Sequence, residues 1–184
     1  MKYTGMLCAI FCAVFKMSAA HAQDDRAPQS EDVLKQLVFM EGDWALTTYI
    51  YHEDGSLAQK SSALMTVKSI LGGKGYVEER KFNIDDPKRF YAAATLFSVK
   101  PQTDQLVGAL NNTLGNRKLL NQVMDSDGLV FEMRGELFQG APGYARLTYK
   151  NITEDSFEFV QDYCPEDGNS CQERTFAFTA TRRQ

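Results

Sequence analysis

Histidine is nearly absent from this chain of 184 residues; His21 and His52 are the only two. A Ser-His-acid triad would therefore have to use one of them, and no G-x-S-x-G nucleophile turn accompanies either. Basic residues do not cluster outside Arg182-Arg183 at the very end, and acids outnumber Lys and Arg by 24 to 20. Nucleic-acid binding needs concentrated Lys and Arg, so that class is excluded. No C-x-x-C occurs, which removes the usual dithiol redox motif. Beyond the first 22 residues no apolar run approaches the ~20 residues that span a bilayer, so no stable membrane span is expected.

What the first 22 residues do contain is a leader. Lys2 gives a positive start, and an apolar stretch from Gly5 to Phe15 includes Leu7, Ile10, Phe11 and Val14. Ala20-His21-Ala22 then forms an A-x-A cleavage site before the polar Gln23-Asp24-Asp25. This pattern predicts a secretory signal peptide over 1–22 and an exported protein, periplasmic or secreted. The apolar stretch is too short for an anchor, and the surroundings of Cys8 and Cys12 do not suit lipidation. Cleavage leaves 162 residues, enough for one domain with a core of ordinary size, carrying 18 basic and 24 acidic residues.

Two cysteines remain, in "CPEDGNSC". In an exported chain a close pair flanking polar turn formers predicts a Cys164–Cys171 disulfide, worth roughly 2–3 kcal/mol on the chain-entropy account. The spacing is too wide for a zinc knuckle and no His lies near, so no metal is expected there. No cofactor is predicted anywhere.

Residues 23–29 are polar and contain Pro28, which reads as a flexible tail before a domain over 30–184. Ser30 can cap a short helix, with Glu31 and Asp32 in its first turn and Val33, Leu34 and Leu37 on one face. Gly42 ends it. From there the hydrophobic period becomes two. Trp44, Leu46, Thr48, Ile50 and His52 alternate with Ala45, Thr47, Tyr49 and Tyr51, and the Asp54-Gly55 turn follows. Further strands are predicted at Leu57–Ile70, Tyr76–Ile84, Phe90–Val99, Leu106–Leu114, Lys118–Met124, Leu129–Phe138, Tyr144–Ile152, Phe157–Tyr163 and Glu173–Thr181.

Ten successive strands joined by short turns describe an antiparallel meander, and closing it removes both edges. The expected fold is an all-β, ten-stranded, up-and-down barrel with the short N-terminal helix closing one end. Its inner faces are expected to carry Trp44, Leu46, Ile50, Met65, Val67, Leu96, Phe131, Met133, Leu147, Tyr149, Phe157, Phe159, Phe176 and Phe178. Lys60, Lys68, Glu132, Arg134, Glu136, Glu158 and Asp162 face out. A barrel of this strand number is wider than side chains alone fill, so it either encloses a cavity or flattens onto a packed core.

Gly42-Asp43-Trp44, placed after a helical segment at the start of the first strand, resembles the opening of lipocalins, fatty-acid-binding proteins and nitrobindin-like barrels, the calycin arrangement. The "FMEGDW" start and "SILGGKGYVEER" look closest to a bacterial exported lipocalin-like family of unknown function. The resemblance spans Leu34 to Arg80. It implies that Trp44 packs near the closed end beneath a basic residue of the last strand, with Arg174, Arg182 and Arg183 as candidates. Asp162-Tyr163 is similar to the lipocalin "TDY" with Gln161 in place of Thr. The late-strand His of a nitrobindin haem site has no counterpart after His52.

The site residues expected from this reading are an apolar set, Phe131, Phe157, Phe159, Phe176 and Phe178, with Glu78, Arg80, Tyr149 or His52 orienting a polar end. Glu78 and Arg80 share a face with Tyr76 and Phe82, where they form an interior ion pair or simply a solvated one. Gly42 and Trp44 are expected to be structural, and no catalytic residue is predicted. The leading expectation is a barrel that binds a small, mostly apolar ligand. The alternatives are an envelope interaction module or inhibitor acting through its loops, "CPEDGNSC" foremost, and a carboxylate-based enzyme. Oligomeric state is left open. Asn111-Asn112-Thr113 and Asn151-Ile152-Thr153 match glycosylation acceptors, which have no meaning in a bacterial periplasm.

Overall fold

A computed structural model describes residues 27–86, 88–126, 128–138, 141–166 and 171–184. The expected signal peptide and the start of the tail lie outside the described residues. Helix α1 (Ala27–Leu34) runs directly into a 3-10 helix, Lys35–Met40. Ten strands follow: β1 (Gly42–Tyr51), β2 (Leu57–Ile70), β3 (Gly75–Phe82), β4 (Tyr91–Lys100), β5 (Gln105–Asn112), β6 (Arg117–Val123), β7 (Leu129–Phe138), β8 (Ala141–Lys150), β9 (Ser156–Pro165) and β10 (Gln172–Arg182). Each is antiparallel to its neighbours, and β10 pairs with β1 to close the barrel. Among the described residues no helix is long and apolar enough to cross a membrane.

The helical segment departs from its expected start. It begins at Ala27, so Ser30 lies inside the first helix rather than capping it. Pro28 suits this position because the first helical turn leaves its N–H groups unpaired anyway. The tightening to a 3-10 helix also has a visible cause. With three residues per turn, side chains at i and i+3 eclipse. Leu34, Leu37 and Met40 therefore fall on one line, and all three are buried against the barrel end.

Two-residue alternation sets the strands, and the register shows which side faces in. Trp44, Leu46 and Thr48 of β1 point inward, as do Tyr76, Glu78, Arg80 and Phe82 of β3. Leu96 is a correction: it was expected inside, yet it is 46% exposed. The stretch "YAAATLF" is apolar at nearly every position, so alternation alone does not give its parity. Pairing does: Thr95 lies opposite Glu78 and Phe97 opposite Tyr76, which sends those two inward and Leu96 out. Ile50 sits on the inner face but at the rim, where it is also exposed.

Up-and-down order places the β1–β2, β3–β4, β5–β6, β7–β8 and β9–β10 connections at one end of the barrel and the helical segment at the other. At the helical end the core is packed. The Trp44 ring is fully buried and meets Phe157 edge-on at 4.9 Å between centroids. Its Nε1 donates to the Met40 carbonyl at 2.7 Å. Phe39 reaches over Phe157 and Tyr149 from above that floor.

Arg182 is the residue that covers Trp44. Its guanidinium carbon lies 4.3 Å from the ring centroid. The Nε, Nη1 and Nη2 groups donate to the carbonyls of Glu154, Glu41 and Phe39. One side chain thus ties the last strand to the helical segment and to the β8–β9 turn. Gly42 is required beside it. Its φ is +123°, and a Cβ there would sit 2.6 Å from Arg182 Nη1.

A candidate ligand site at the open end

The opposite end holds a cavity of about 660 Å³. Its walls include Phe82, Tyr91, Leu110, Met133, Phe159 and Phe176, with Asn112, Asn116, Lys118 and Gln161 toward the rim and Arg80 at depth. Phe82 and Tyr91 stack at 4.4 Å, and Phe176 meets Phe82 edge-on at 5.9 Å, which makes one side of the cavity aromatic.

The wall between β6 and β7 is incomplete. Pairing runs from Val123–Val130 up to Leu120–Met133 and stops there. Above it, β7 carries a bulge between Arg134 and Glu136, where Gly135 takes φ +76°. A bulge bends its strand and leaves a residue out of the ladder. Lys118 Nζ bridges the splay by donating to the Gly135 carbonyl at 3.1 Å, and both residues line the cavity.

Beneath the cavity lies a buried polar cluster. Arg80 Nη2 donates to Glu78 Oε2 at 2.9 Å and to the Tyr149 hydroxyl at 2.8 Å. Tyr149 in turn donates to Glu78 Oε2 at 3.4 Å, and Thr95 donates to Glu78 Oε1 at the same distance. Arg80 Nε sits 2.7 Å from Glu78 Oε1, but its N–H points off the oxygen, so that contact is one of charge and not a hydrogen bond. The guanidinium also lies over the Phe159 and Phe178 rings at 4.9 and 5.0 Å. Nε is thus buried without a hydrogen bond among the described residues.

Electrostatics fix the protonation of this cluster. Burial pulls the Arg80 pKa down, but the Glu78 carboxylate and the Tyr149 hydroxyl outweigh it, and the group is held above its ordinary value. Burial pushes the Tyr149 phenol well up, and the neighbouring Glu78 pushes it further. Tyr91 on the cavity wall is also raised by burial, with Arg80 pulling the other way. At neutral pH the site therefore presents one guanidinium and two neutral phenols.

The expected site residues separate into groups. Arg80, Phe159 and Phe176 line the cavity. Glu78, Tyr149 and Phe178 surround Arg80 from below. Phe131 and Phe157 are wholly buried in the packed core toward the helical end, Phe157 against Trp44. His52 is exposed in the Asp54-Gly55 turn and is not part of the cavity wall. Tyr91, Asn112 and Lys118 were not singled out from the sequence. Their signal was their place near strand ends at one end of the meander, which becomes usable only once the strand order is known.

Cys164 and Cys171 form a disulfide across the β9–β10 connection at this same end. The residues between them that would make an interaction loop, 167–170, lie outside the described set. Among the described residues no group of three or more His, Cys, Asp or Glu side chains is placed to hold a metal ion.

No protein-family pattern matches this sequence, and no curated protein does. Among solved structures the chain is similar to a redesigned β-barrel, at 16% identity over 85% of this chain and 96% of that one, with a TM-score of 0.40.

Proposed function

We propose that this protein is an exported, lipocalin-like barrel that binds a small, mostly apolar molecule in its open-end cavity. The observation that carries the reading is the asymmetry of the barrel interior. One half is packed solid, while the other leaves about 660 Å³ with an aromatic wall and a few polar groups. Small-molecule sites are typically concave spaces of about 300–1,000 Å³ lined in this way. Export is supported by the leader-like start of the sequence and by a disulfide, which persists in oxidising compartments. The "GDW" opening is supportive too, because Trp44 and Arg182 meet as the calycin resemblance implies.

Purification of the protein from expressing cells without denaturation, followed by mass spectrometry of the solvent extract, tests this directly. The expected result is an enriched small molecule that is missing when Ala93, on the cavity wall, is replaced by Trp. A folded wild type that extracts nothing and takes up no apolar probe overturns the reading. Mass analysis of the secreted chain tests export, and the expected N-terminus is Gln23.

A further inference from the structure

We infer that two copies of this chain pair through the outer face of β3 to β6, with Glu79 of each copy meeting Arg117 of the other. This face is on the outside of the barrel, so the inference goes beyond the ligand-binding reading and does not rest on it. Alternation turns Glu78, Thr95, Phe97 and Leu120 inward and the residues beside them outward. Leu96 and Leu119 are among those turned out, and they are 46% and 70% exposed. Pairing sets them in one row, Val77–Leu96–Ala109–Leu119, which crosses four strands without a polar side chain. Apolar residues scattered singly over a surface are ordinary, but a continuous row marks a contact face.

The charges around the row point the same way. From Ala92 to Ser98 on β4 and from Val107 to Asn111 on β5 there is no charged residue. The other side of the barrel differs, since Glu132, Arg146 and Asp162 lie side by side across β7, β8 and β9. Depletion of charge at the centre of a face is the compositional signal of an interface core. The row next to the apolar one, Glu79–Ala94–Asn111–Arg117, has an acid at one edge and a base at the other. Both are exposed, and neither has an ion pair or side-chain hydrogen bond among the described residues.

That order selects a second copy as the occupant. A two-fold axis running along the strands between β4 and β5 reverses each row onto itself. Glu79 then meets the partner's Arg117, twice, and Val77 meets the partner's Leu119. Leu96 falls on the partner's Ala109, in a groove of about 430 Å³ whose lining includes Leu96, Ala109 and Leu119. Large side chains thus meet small ones at the centre, and opposite charges meet at both edges. An axis running across the strands would set Leu96 against itself and leave both charges without partners. The chosen axis keeps the strands aligned, as in packed sheets, and both barrels open toward the same side. Four strands about 4.8 Å apart and three rows about 6.8 Å apart cover roughly 20 by 20 Å on each copy, the small end of specific interfaces. The dimer is therefore weak, with a dissociation constant of about 100 μM.

Sedimentation equilibrium of the purified protein from about 10 μM to about 1 mM, at low salt, tests the pairing. The wild type should be monomeric at the low end and mostly dimeric at the high end. Glu79→Arg and Arg117→Glu should each weaken association at least about tenfold, because two attractions become two repulsions. An equal mixture of these two variants should associate as the wild type does, since opposite charges then face each other at both edges. The double variant Glu79→Arg/Arg117→Glu should do the same on its own. Leu119→Asp should abolish association and leave thermal unfolding unchanged, because that side chain is exposed in the single copy. A wild type that stays monomeric at the high end overturns the inference. So do charge variants that associate as the wild type does, and single variants that remain apart when mixed. Uptake of an apolar probe by the cavity is a separate measurement, so failure here leaves the ligand-binding reading standing.

Discussion

Arg182 and Arg80 are the same side chain used at opposite ends of one barrel, and their surroundings differ in kind. Arg182 meets only backbone carbonyls, three of them, from segments far apart in the sequence, and lies on the Trp44 face. Every one of its nitrogens has an acceptor. It joins pieces of the fold, and nothing is left over for a ligand. Arg80 meets a carboxylate and a phenol through Nη2, and its buried Nε has no hydrogen bond among the described residues. The first arrangement is hydrogen-bonded at every nitrogen, while the second rests on a charge pair beneath the cavity. A buried charge pair under a cavity is a more specific feature than an apolar wall, because every barrel interior is lined with apolar groups.

The sharpest way to break this contrast is to truncate an aromatic at each end. Trp44→Ala removes a fully buried ring, its bond to Met40 and the platform under Arg182, and should cost about 3–5 kcal/mol in urea unfolding. Phe176→Ala, at the cavity wall, should cost only roughly 1–1.5 kcal/mol, since that ring is half-buried and its loss widens an existing space. Equal costs would mean that the open half is packed like the closed one.

Next in size is the buried ion pair. Arg80→Gln leaves the Glu78 carboxylate without its counter-charge at a site it cannot escape, and should cost about 3 kcal/mol or more. Neutralising both partners with Glu78→Gln/Arg80→Gln should recover most of that loss, because a neutral buried pair carries no uncompensated charge. A double variant no more stable than the single one would show that the cluster is held by shape and not by charge balance. At the helical end no such rescue exists for Arg182→Gln, whose partners are all carbonyls.

Much of the closed end was legible in the sequence, and much of the open end was not, for a physical reason. Gly42 and Trp44 announce themselves because a positive-φ glycine and a lone tryptophan occupy fixed places at the start of a strand. The ten strands follow from period-two alternation and from turns such as Asp54-Gly55, both local properties. Glu78 and Arg80 could be placed on one inner face by counting from Tyr76. Tyr149 was placed on an inner face in the same way, but its bond to Arg80 could not be, since it lies 69 residues beyond and reaches across the interior. The same holds for Lys118, whose importance comes from a bulge at Gly135 on the neighbouring strand. Leu96 shows the local method failing outright: in an apolar run the pattern has no parity, and only pairing with β3 supplies one. The helix start moved from Ser30 to Ala27 because proline tolerance and a three-residue period decided it, not the cap.

Alkaline pH gives a smaller and slower test of the same asymmetry. Tyr149 and Tyr91 both titrate above their ordinary value of 10.0, chiefly because burial disfavours the phenolate. With a folded-state pKa above the unfolded one, their contribution is fully present below about pH 10 and is lost as pH rises beyond it. Thermal stability should therefore hold level from neutral pH to about pH 9 and decline above pH 10. Tyr149→Phe should start lower, having lost its bonds to Arg80 and Glu78, and decline less steeply. An unchanged slope would place the alkaline loss elsewhere, Tyr76 at the helical end being the other raised phenol.

The smallest expected effect belongs to His52, and it is informative because it is small. The residue lies at the open end, one position past β1, and from the sequence it was the natural polar group for a barrel mouth. In the fold its backbone closes the turn, donating from N–H to the Ser56 carbonyl at 2.9 Å and accepting from Gly55 at the same distance. The side chain is exposed and is not among the residues lining the cavity, where β1 contributes Ile50 instead. The backbone bonds survive any side-chain change, so His52→Ala should alter stability by less than about 0.5 kcal/mol. Uptake of a neutral apolar fluorescent probe should change by less than twofold. A large loss on His52→Ala would put the polar end of the ligand at the rim and not at depth. It would then be Lys118 and the rim, and not Arg80, that set the chemistry of what enters.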